Sequence, residues 1–432
     1  MRKIAGAFTI FLALSLTPEF AVSAEPTVTV MSRNLYLGAD VGVALQLIPD
    51  LPAAAQFMWG QVAATDFEKR SEVLVEEILQ EKPDVIGIQE ATRWFCKKTV
   101  FSKKKTVFDF TQTLMDKLGG NYVLATKDGV TAFNPGYSIP AIPFLTTVED
   151  RKIFAPLFGT AKVACGFEIA DALLIKKSLQ GSLLRVGNTE YESSYKIIPT
   201  IMTIHRGYTW ADISIGGKPV RFISTHLESL SDPGKVPTAA KQAAQLVSDV
   251  ANTQTPIVIM GDFNSDPRDP RSADEANPGE QPESDLKVCP VGKSTCSAFK
   301  IMKENGFIDA GPDSSDPLNY TWGMNALLTG PDSKRVARAN MMGNKFGFTD
   351  RLDYIFLKNG PAAVSSKIFG TKPPYGSDHA GLVSTISISS STLEASPELP
   401  KHSPFPISFW QIVTLVLVVL ISWLTVKWIK RR

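Results

Sequence analysis

Six short apolar runs in this sequence each border on side chains that do not belong in a hydrophobic core. PDVIGIQE closes on Glu90, VRFISTH on His226, and PIVIMGDFN on Asp262 and Asn264. VTVMSRN closes on Asn34, Asp353 opens DYIFL, and GSDHAG sets Asp378 and His379 just before LVSTIS. Runs this short and rich in β-branched residues read as strands. Side chains alternate between the two faces of a strand, so Val220, Phe222, Ser224 and His226 share one face. Asp262 and Asn264, two apart, lie on one side of an extended chain. Carboxylates, amides and imidazoles are expensive to bury unpaired, so ordinary core packing does not explain six such boundaries. They point to strand ends gathered on one rim.

The strand pattern recurs along the chain. Thr27–Met31, Asp84–Gln89, Tyr122–Ala125, Ala172–Ile175, Tyr208–Ile215, Val220–Thr225, Pro256–Met260, Tyr354–Leu357 and Leu382–Ser387 all carry it. Helical periodicity interleaves: Phe67, Leu74, Val75, Ile78 and Leu79 make one apolar face, and Ala239–Val250 makes another. Strands mixed with helices, some in hairpin-like sequence around Gly216-Gly217, predict an α/β sandwich of two mixed sheets covered outside by helices. Two stretches break the pattern. Ala132–Ala164, with Phe133, Tyr137, Phe144, Phe154 and Phe158, and Asp266–Thr295 are read as long loops or insertions.

The ends of the 432-residue chain differ from its middle. Residues 1–24 combine Arg2-Lys3, an apolar stretch and small residues at Val22-Ser23-Ala24, which predicts a signal peptide. Residues 389–406 are rich in Ser and Pro and read as a stalk. Ile407–Val426 has no charge and the length of a transmembrane helix, with a basic tail at 427–432. The sequence therefore predicts a membrane-anchored protein with an extracytoplasmic domain at 27–388, periplasmic or at the cell surface, and a short cytoplasmic tail. Of a formal net charge of +2, the last six residues carry +4 and the first 24 carry +1, leaving about −3 for residues 25–426. That balance excludes nucleic-acid binding driven by net positive charge. Cys96, Cys165, Cys289 and Cys296 predict two disulfides; of the three possible pairings, Cys289–Cys296 with Cys96–Cys165 is favoured by the short polar loop between the former pair.

Hard oxygen donors beside two histidines suit a magnesium ion, which takes few carboxylates and keeps positions for water and phosphate. The chemistry such a rim serves is attack of water on phosphorus. Asp262–Asp266 also imitates the start of an EF-hand loop, but the sixth and twelfth positions are Pro267 and Ala273 where Gly and Glu are required.

NLY after a strand, IQE, STHLES, GDFNSDP, RLDYIF and SDHAG occur in the order seen in the endonuclease/exonuclease/phosphatase superfamily, and over Val28–Ser387 the chain resembles that superfamily. Its members include deoxyribonuclease I, repair nucleases, inositol-polyphosphate phosphatases and bacterial sphingomyelinases. The resemblance implies a four-layered α/β sandwich and a metal-dependent phosphoric-ester hydrolase, foremost a phosphodiesterase. It implies Glu90 as a metal ligand with Asp378 near the metal, and Asn34 fixing metal and phosphate. His226 would contact the phosphoryl oxygens, and Asp262 and Asn264 would align the attacking water. His379 would be the catalytic histidine and Asp353 its orienting carboxylate. Either Asp262 or His379 can take the proton of the water. The implied cofactor is Mg2+, with Mn2+ or Ca2+ as alternatives. Where many members carry a glycine, this chain has Ala170-Asp171-Ala172, so no phosphate contact is carried over to that strand.

Substrate stays open between nucleic acid and phospholipid or sphingomyelin. Lys97, Lys98, Lys103, Lys104 and Lys105 are a solvated loop or a phosphate-binding rim. The aromatics of 132–164 are loop packing or a bilayer wedge. His205 reads as a surface residue and His402 as part of the stalk. The alternatives are a phosphomonoesterase acting on a small ester and a non-catalytic surface binding module. Nothing in the sequence calls for an obligate protein partner.

Overall fold

The computed structural model describes residues 25–99, 101–146, 162–198, 202–232, 234–271, 287–290, 292–323, 337, 340–341, 347–388 and 399. Two sheets dominate. The first has nine strands, with the central order Ala362–Phe369, Gly381–Ser387, Thr27–Asn34, Val85–Gln89, Lys162–Lys176, Arg93–Lys97 and Lys105–Asp109. Tyr122–Leu124 and Phe133–Thr146 also pair with Lys162–Lys176. The second has six strands, ordered Leu183–Glu190, Gly207–Ile215, Lys218–His226, Ile257–Asp262, Asp353–Lys358 and Ile308–Asp309.

Strand alternation sorts the apolar side chains into layers. Val28, Val30, Val85, Leu173 and Ile175 of the first sheet meet Val220, Phe222, Val258, Met260 and Ile355 of the second in one buried core. The intervening residues face outward. Met31, Ile86 and Ile88 pack under the helices Leu51–Thr65 and Phe67–Glu81. Ile223, Ile257 and Ile259 pack under Thr238–Asp249 and Ala298–Glu304. This is the expected four-layered sandwich. All nine expected strands form, eight with ends shifted by at most three residues, whereas Ala172–Ile175 is only the last part of the longer strand Lys162–Lys176. At Gly87 the sheets approach so closely that an added Cβ would stand 2.7 Å from Met260 Cβ.

Register carries the polar strand ends to one rim. His226 is paired with Asp262, and Asp262 with Asp353, in one row across the second sheet. In the first sheet Asn34 is opposite Gln89, which sets Glu90 at the same edge.

Three expectations are corrected. Ala132–Ala164 is not simply a loop, because Phe133–Thr146 and Lys162–Lys176 form a long antiparallel pair. Its register shifts between Asn134 and Tyr137, Ile139 and Ile142, and Ile142 and Leu145, intervals that contain Pro135, Pro140 and Pro143. Proline has no N–H for the ladder, so the pairing slips at each one, and that obscures the strand in the sequence. Phe133 packs beside the core under Arg93, whereas Phe154 and Phe158 lie outside the described residues.

The added transmembrane helix and the membrane-anchored location are not supported: among the described residues, no helix is long and apolar enough to cross a membrane. Residues 407–426, like 1–24, lie outside the described residues. Of the expected stalk only Leu399 is described, and it is buried against the outer cluster of the second sheet.

Both expected disulfides are present, Cys96–Cys165 and Cys289–Cys296. The lysine run turns between the strands Arg93–Lys97 and Lys105–Asp109, where Lys104 pairs with Glu168 at 2.6 Å.

Candidate active site

The rim opens into a cleft lined by Tyr36, Glu90, His226, Asp262, Asn264, Asp378 and His379. Six of the eight expected site residues reach this surface. Asn34 and Asp353 are fully buried and line no part of the cleft. Each instead holds a residue that does: the Asn34 amide donates to Asp262 Oδ2 at 3.1 Å, and Asp353 Oδ2 is 2.8 Å from His379 Nδ1.

Asp262 is held from two sides, since the Asn264 backbone N–H donates to its Oδ1 at 2.9 Å. Its Oδ2 lies 3.5 Å from His226 Nε2 and 3.6 Å from His379 Nε2. Burial, with Asp353 and Glu90 nearby, raises the Asp262 carboxyl to about 7 against the lowering pull of His379. Burial pulls the His379 imidazole down, but Asp353, Asp378 and Asp262 outweigh it and hold the ring at about 10. His379 is thus a buried imidazolium at neutral pH, anchored through Nδ1 with Nε2 toward the cleft.

His226 is the opposite case. Burial and the neighbouring charges of Arg206 and His379 push its imidazole well below the usual range. Arg206 Nη1 is 3.0 Å from His226 Nδ1. A guanidinium can only donate, so Nδ1 accepts and the neutral ring carries its proton on Nε2. Asn264, at φ 44°, donates from its amide nitrogen to Leu227 O at 2.7 Å. That nitrogen also lies 3.1 Å from Nε2, but two N–H groups cannot bond each other, and the acceptor facing the Nε2 proton is Asp262 Oδ2 at 3.5 Å.

Glu90 sits at φ 56°, a left-handed backbone that turns it off the strand end and into the cleft. It accepts from the Leu37 N–H. Burial first, then Asp378, raises its carboxyl. Two carboxylates crowding one another in a buried cleft suit a hard divalent cation, which relieves their repulsion. Among the described residues, a different trio of potential ligand atoms, from Asp262, Asp353 and His379, lies within 4.8 Å of one another. There Asp353 Oδ2 and His379 Nδ1 already satisfy each other, so the trio reads better as a proton-handling unit. Glu90 and Asp378 fit the ion better.

Several supporting residues escaped the sequence reading. Arg206, which fixes the His226 tautomer, is itself held by Glu228 at 3.2 Å; the STHLES motif contains Glu228 and was the one available signal. Asp171, where the family pattern departs, is buried beside this group, hydrogen-bonded by the His226 backbone N–H and raised well above its usual range by burial. Trp322 walls the cleft with its ring centroid 6.4 Å from that of His379. His205 pairs with Glu190 at 2.6 Å and lines no part of the cleft.

The model of the endonuclease/exonuclease/phosphatase family matches residues 58–379. The chain belongs to this family. Its members are typically hydrolases of phosphoric esters, nucleases and phosphodiesterases among them, and divalent metals are common in it. Solved structures similar to the chain include a humanized TDP2 from D. rerio, 14% identical over 84% of this chain and 99% of that one, with a TM-score of 0.42. An endonuclease/exonuclease/phosphatase from Beutenbergia cavernae is 17% identical over 84% and 72%, with a TM-score of 0.48. A truncated TDP2 from Caenorhabditis elegans is 16% identical over 84% and 97%, with a TM-score of 0.42. Likeness at this level says nothing of substrate. Among curated proteins, none matches the sequence.

Proposed function

We propose that the protein is a divalent-metal-dependent phosphodiesterase whose catalytic unit is residues 27–388. The observation that carries this reading is the linked set Asp353, His379 and Asp262 facing the crowded carboxylates Glu90 and Asp378 across one cleft. Glu90 and Asp378 hold the cation, Mg2+ first and Mn2+ or Ca2+ as alternatives. When bound, the ion offsets the negative charge of the phosphoryl group.

The chain's own residues do the rest. Asp262, kept in place by Asn34 and the Asn264 N–H, aligns a water for in-line attack and takes its proton; a carboxyl near 7 is matched to that task. His379, charged and fixed by Asp353, donates from Nε2 to a phosphoryl oxygen. His226, neutral with its proton on Nε2, offers a second donor, and Asn264 a third. Donors arranged beforehand toward developing charge lower the barrier without reorganising during the reaction. Water adds to phosphorus, one P–O ester bond breaks, and the products are a phosphomonoester and an alcohol.

The test uses the purified protein with plasmid DNA and with sphingomyelin or phospholipid vesicles, in Mg2+ or in chelator. The expected result is chelator-sensitive cleavage of one of them, lost in both His379→Ala and Glu90→Ala. Activity unchanged in either variant would overturn the assignment of this cleft.

A further inference from the structure

A second pocket adjoins the cleft and differs from it in kind. Its walls include Val41, Ala44, Met58, Trp59, Trp94 and Phe167, and none of its lining side chains carries a charge, hydroxyl or amide. Val41 lines both cavities. On the strand Lys162–Lys176, Ile169 lines the cleft and Phe167, two residues away on the same face, lines the pocket. The connection reaches the candidate metal ligands: the Trp94 indole N–H donates to Leu37 O at 3.1 Å, and the Leu37 N–H donates to Glu90. Small residues keep the space open, with Ala44 on Val41–Gln46 and Ala54 and Ala55 on Leu51–Thr65. On Val41–Gln46 and just past it, Val43 and Leu47 are 38% and 37% exposed, so apolar side chains also reach the surface beside the pocket.

The chemistry of the walls selects the occupant. Polar edges of a sugar or nucleobase placed here would lose water and find no hydrogen-bond partner in the side chains. The indole N–H of Trp94 is already committed to Leu37. A hydrocarbon chain meets no such penalty and gains from burial. We infer that this pocket receives a hydrocarbon chain of the ester whose phosphorus sits in the adjoining cleft, so that the substrate class is an amphiphilic phosphodiester. The inference rests on the phosphodiesterase reading above, and it selects a lipid-like ester over nucleic acid.

A series of p-nitrophenyl alkyl phosphates, methyl to dodecyl, tests it with the full chain in Mg2+ and in chelator. Each methylene that enters the pocket is expected to raise kcat/KM about fourfold until the pocket is full, after which the series levels. Ala44→Phe, checked for an intact fold by its melting curve, should bring the dodecyl-to-methyl ratio toward one, and the milder Ala44→Leu should give an intermediate ratio. Chelator-sensitive turnover with no dependence on chain length would overturn the pocket assignment and leave the phosphodiesterase reading intact. A rising series unaffected by Ala44→Phe in a folded protein would also overturn it, since the chain would then bind elsewhere. Failure to turn over any member, methyl included, would count against the phosphodiesterase reading itself.

Discussion

Asn34 and Asp262 meet across the two sheets: the Asn34 amide, at the end of Thr27–Asn34, donates to Asp262 Oδ2 at the end of Ile257–Asp262, 3.1 Å away. The contact ties the halves of the sandwich together at the point where the cleft opens. Asn34 Oδ1 is occupied as well, accepting from the Tyr36 N–H at 2.8 Å. Asn34→Ala should therefore leave Asp262 free to turn and lower kcat by about 100-fold or more. The orphaned Tyr36 N–H should cost roughly 1–3 kcal/mol of stability. Steady-state kinetics and a urea titration on the same sample check both. A variant as destabilised as expected but with unchanged kcat would show that Asn34 only braces the fold.

Asp353→Asn removes the charge opposite His379 Nδ1 while keeping shape. Asp353 is fully buried, its Oδ2 faces the ring at 2.8 Å, and its Oδ1 has no hydrogen-bond partner among the described residues. The substitution should lower kcat by roughly 10^2–10^4-fold, because the ring loses both its orientation and the charge that holds it protonated. NMR titration of His379 supplies a readout that a merely structural role would not move: its pKa should fall in the variant. Retention of wild-type kcat would remove Asp353 from the mechanism.

The strands and their polar ends were legible because a buried strand needs a β-branched run, and a polar residue at its end has no cheap explanation inside a core. Pairing could not be read that way. Nothing local says that Asn34 reaches Asp262, 228 residues away, or that Asp262 lines the cleft while Asn34 stands behind it. Arg206 was invisible for a related reason. It is a lone arginine in the loop before Gly207–Ile215, and its meaning comes only from the sheet that sets it beside His226 and Glu228. The prolines of Phe133–Thr146 hid a strand that side-chain alternation alone would have suggested.

Arg70 is the buried clamp of the site loops. From the helix Phe67–Glu81 its guanidinium donates to Thr65 O, Leu35 O, Tyr36 O and Gly376 O at 2.7–3.1 Å. Burial lowers it to about 10, so it stays charged at neutral pH. The segment after Asn34 and the segment before Asp378 are thereby fixed to one helix. Arg70→Met should leave these carbonyls unsatisfied and cost at least about 3 kcal/mol in chemical denaturation. Arg70→Lys, with one nitrogen in place of a fork, should recover only part of it. A loss under about 1 kcal/mol in Arg70→Met would mean that water replaces the guanidinium without penalty.

The Cys96–Cys165 disulfide joins residues directly opposite one another on the strands Arg93–Lys97 and Lys162–Lys176. It links positions 69 residues apart, so reducing it frees a long loop in the unfolded chain. Chain entropy alone puts its contribution at roughly 4 kcal/mol, an upper figure wherever the unfolded chain keeps some structure. The double substitution Cys96→Ala with Cys165→Ala should lower stability by about 2–4 kcal/mol. Cys289–Cys296, with a separation of 7, closes a much shorter loop and should contribute less. Catalysis and stability should separate in the first variant. The cleft residues are set by the sheet ends and by Arg70, whereas Cys165 lines the apolar pocket. Turnover of a methyl ester at a temperature where the variant is folded should therefore change less than turnover of a long-chain ester. Equal losses on both would show that the stapled strands support the cleft as a whole rather than the pocket beside it.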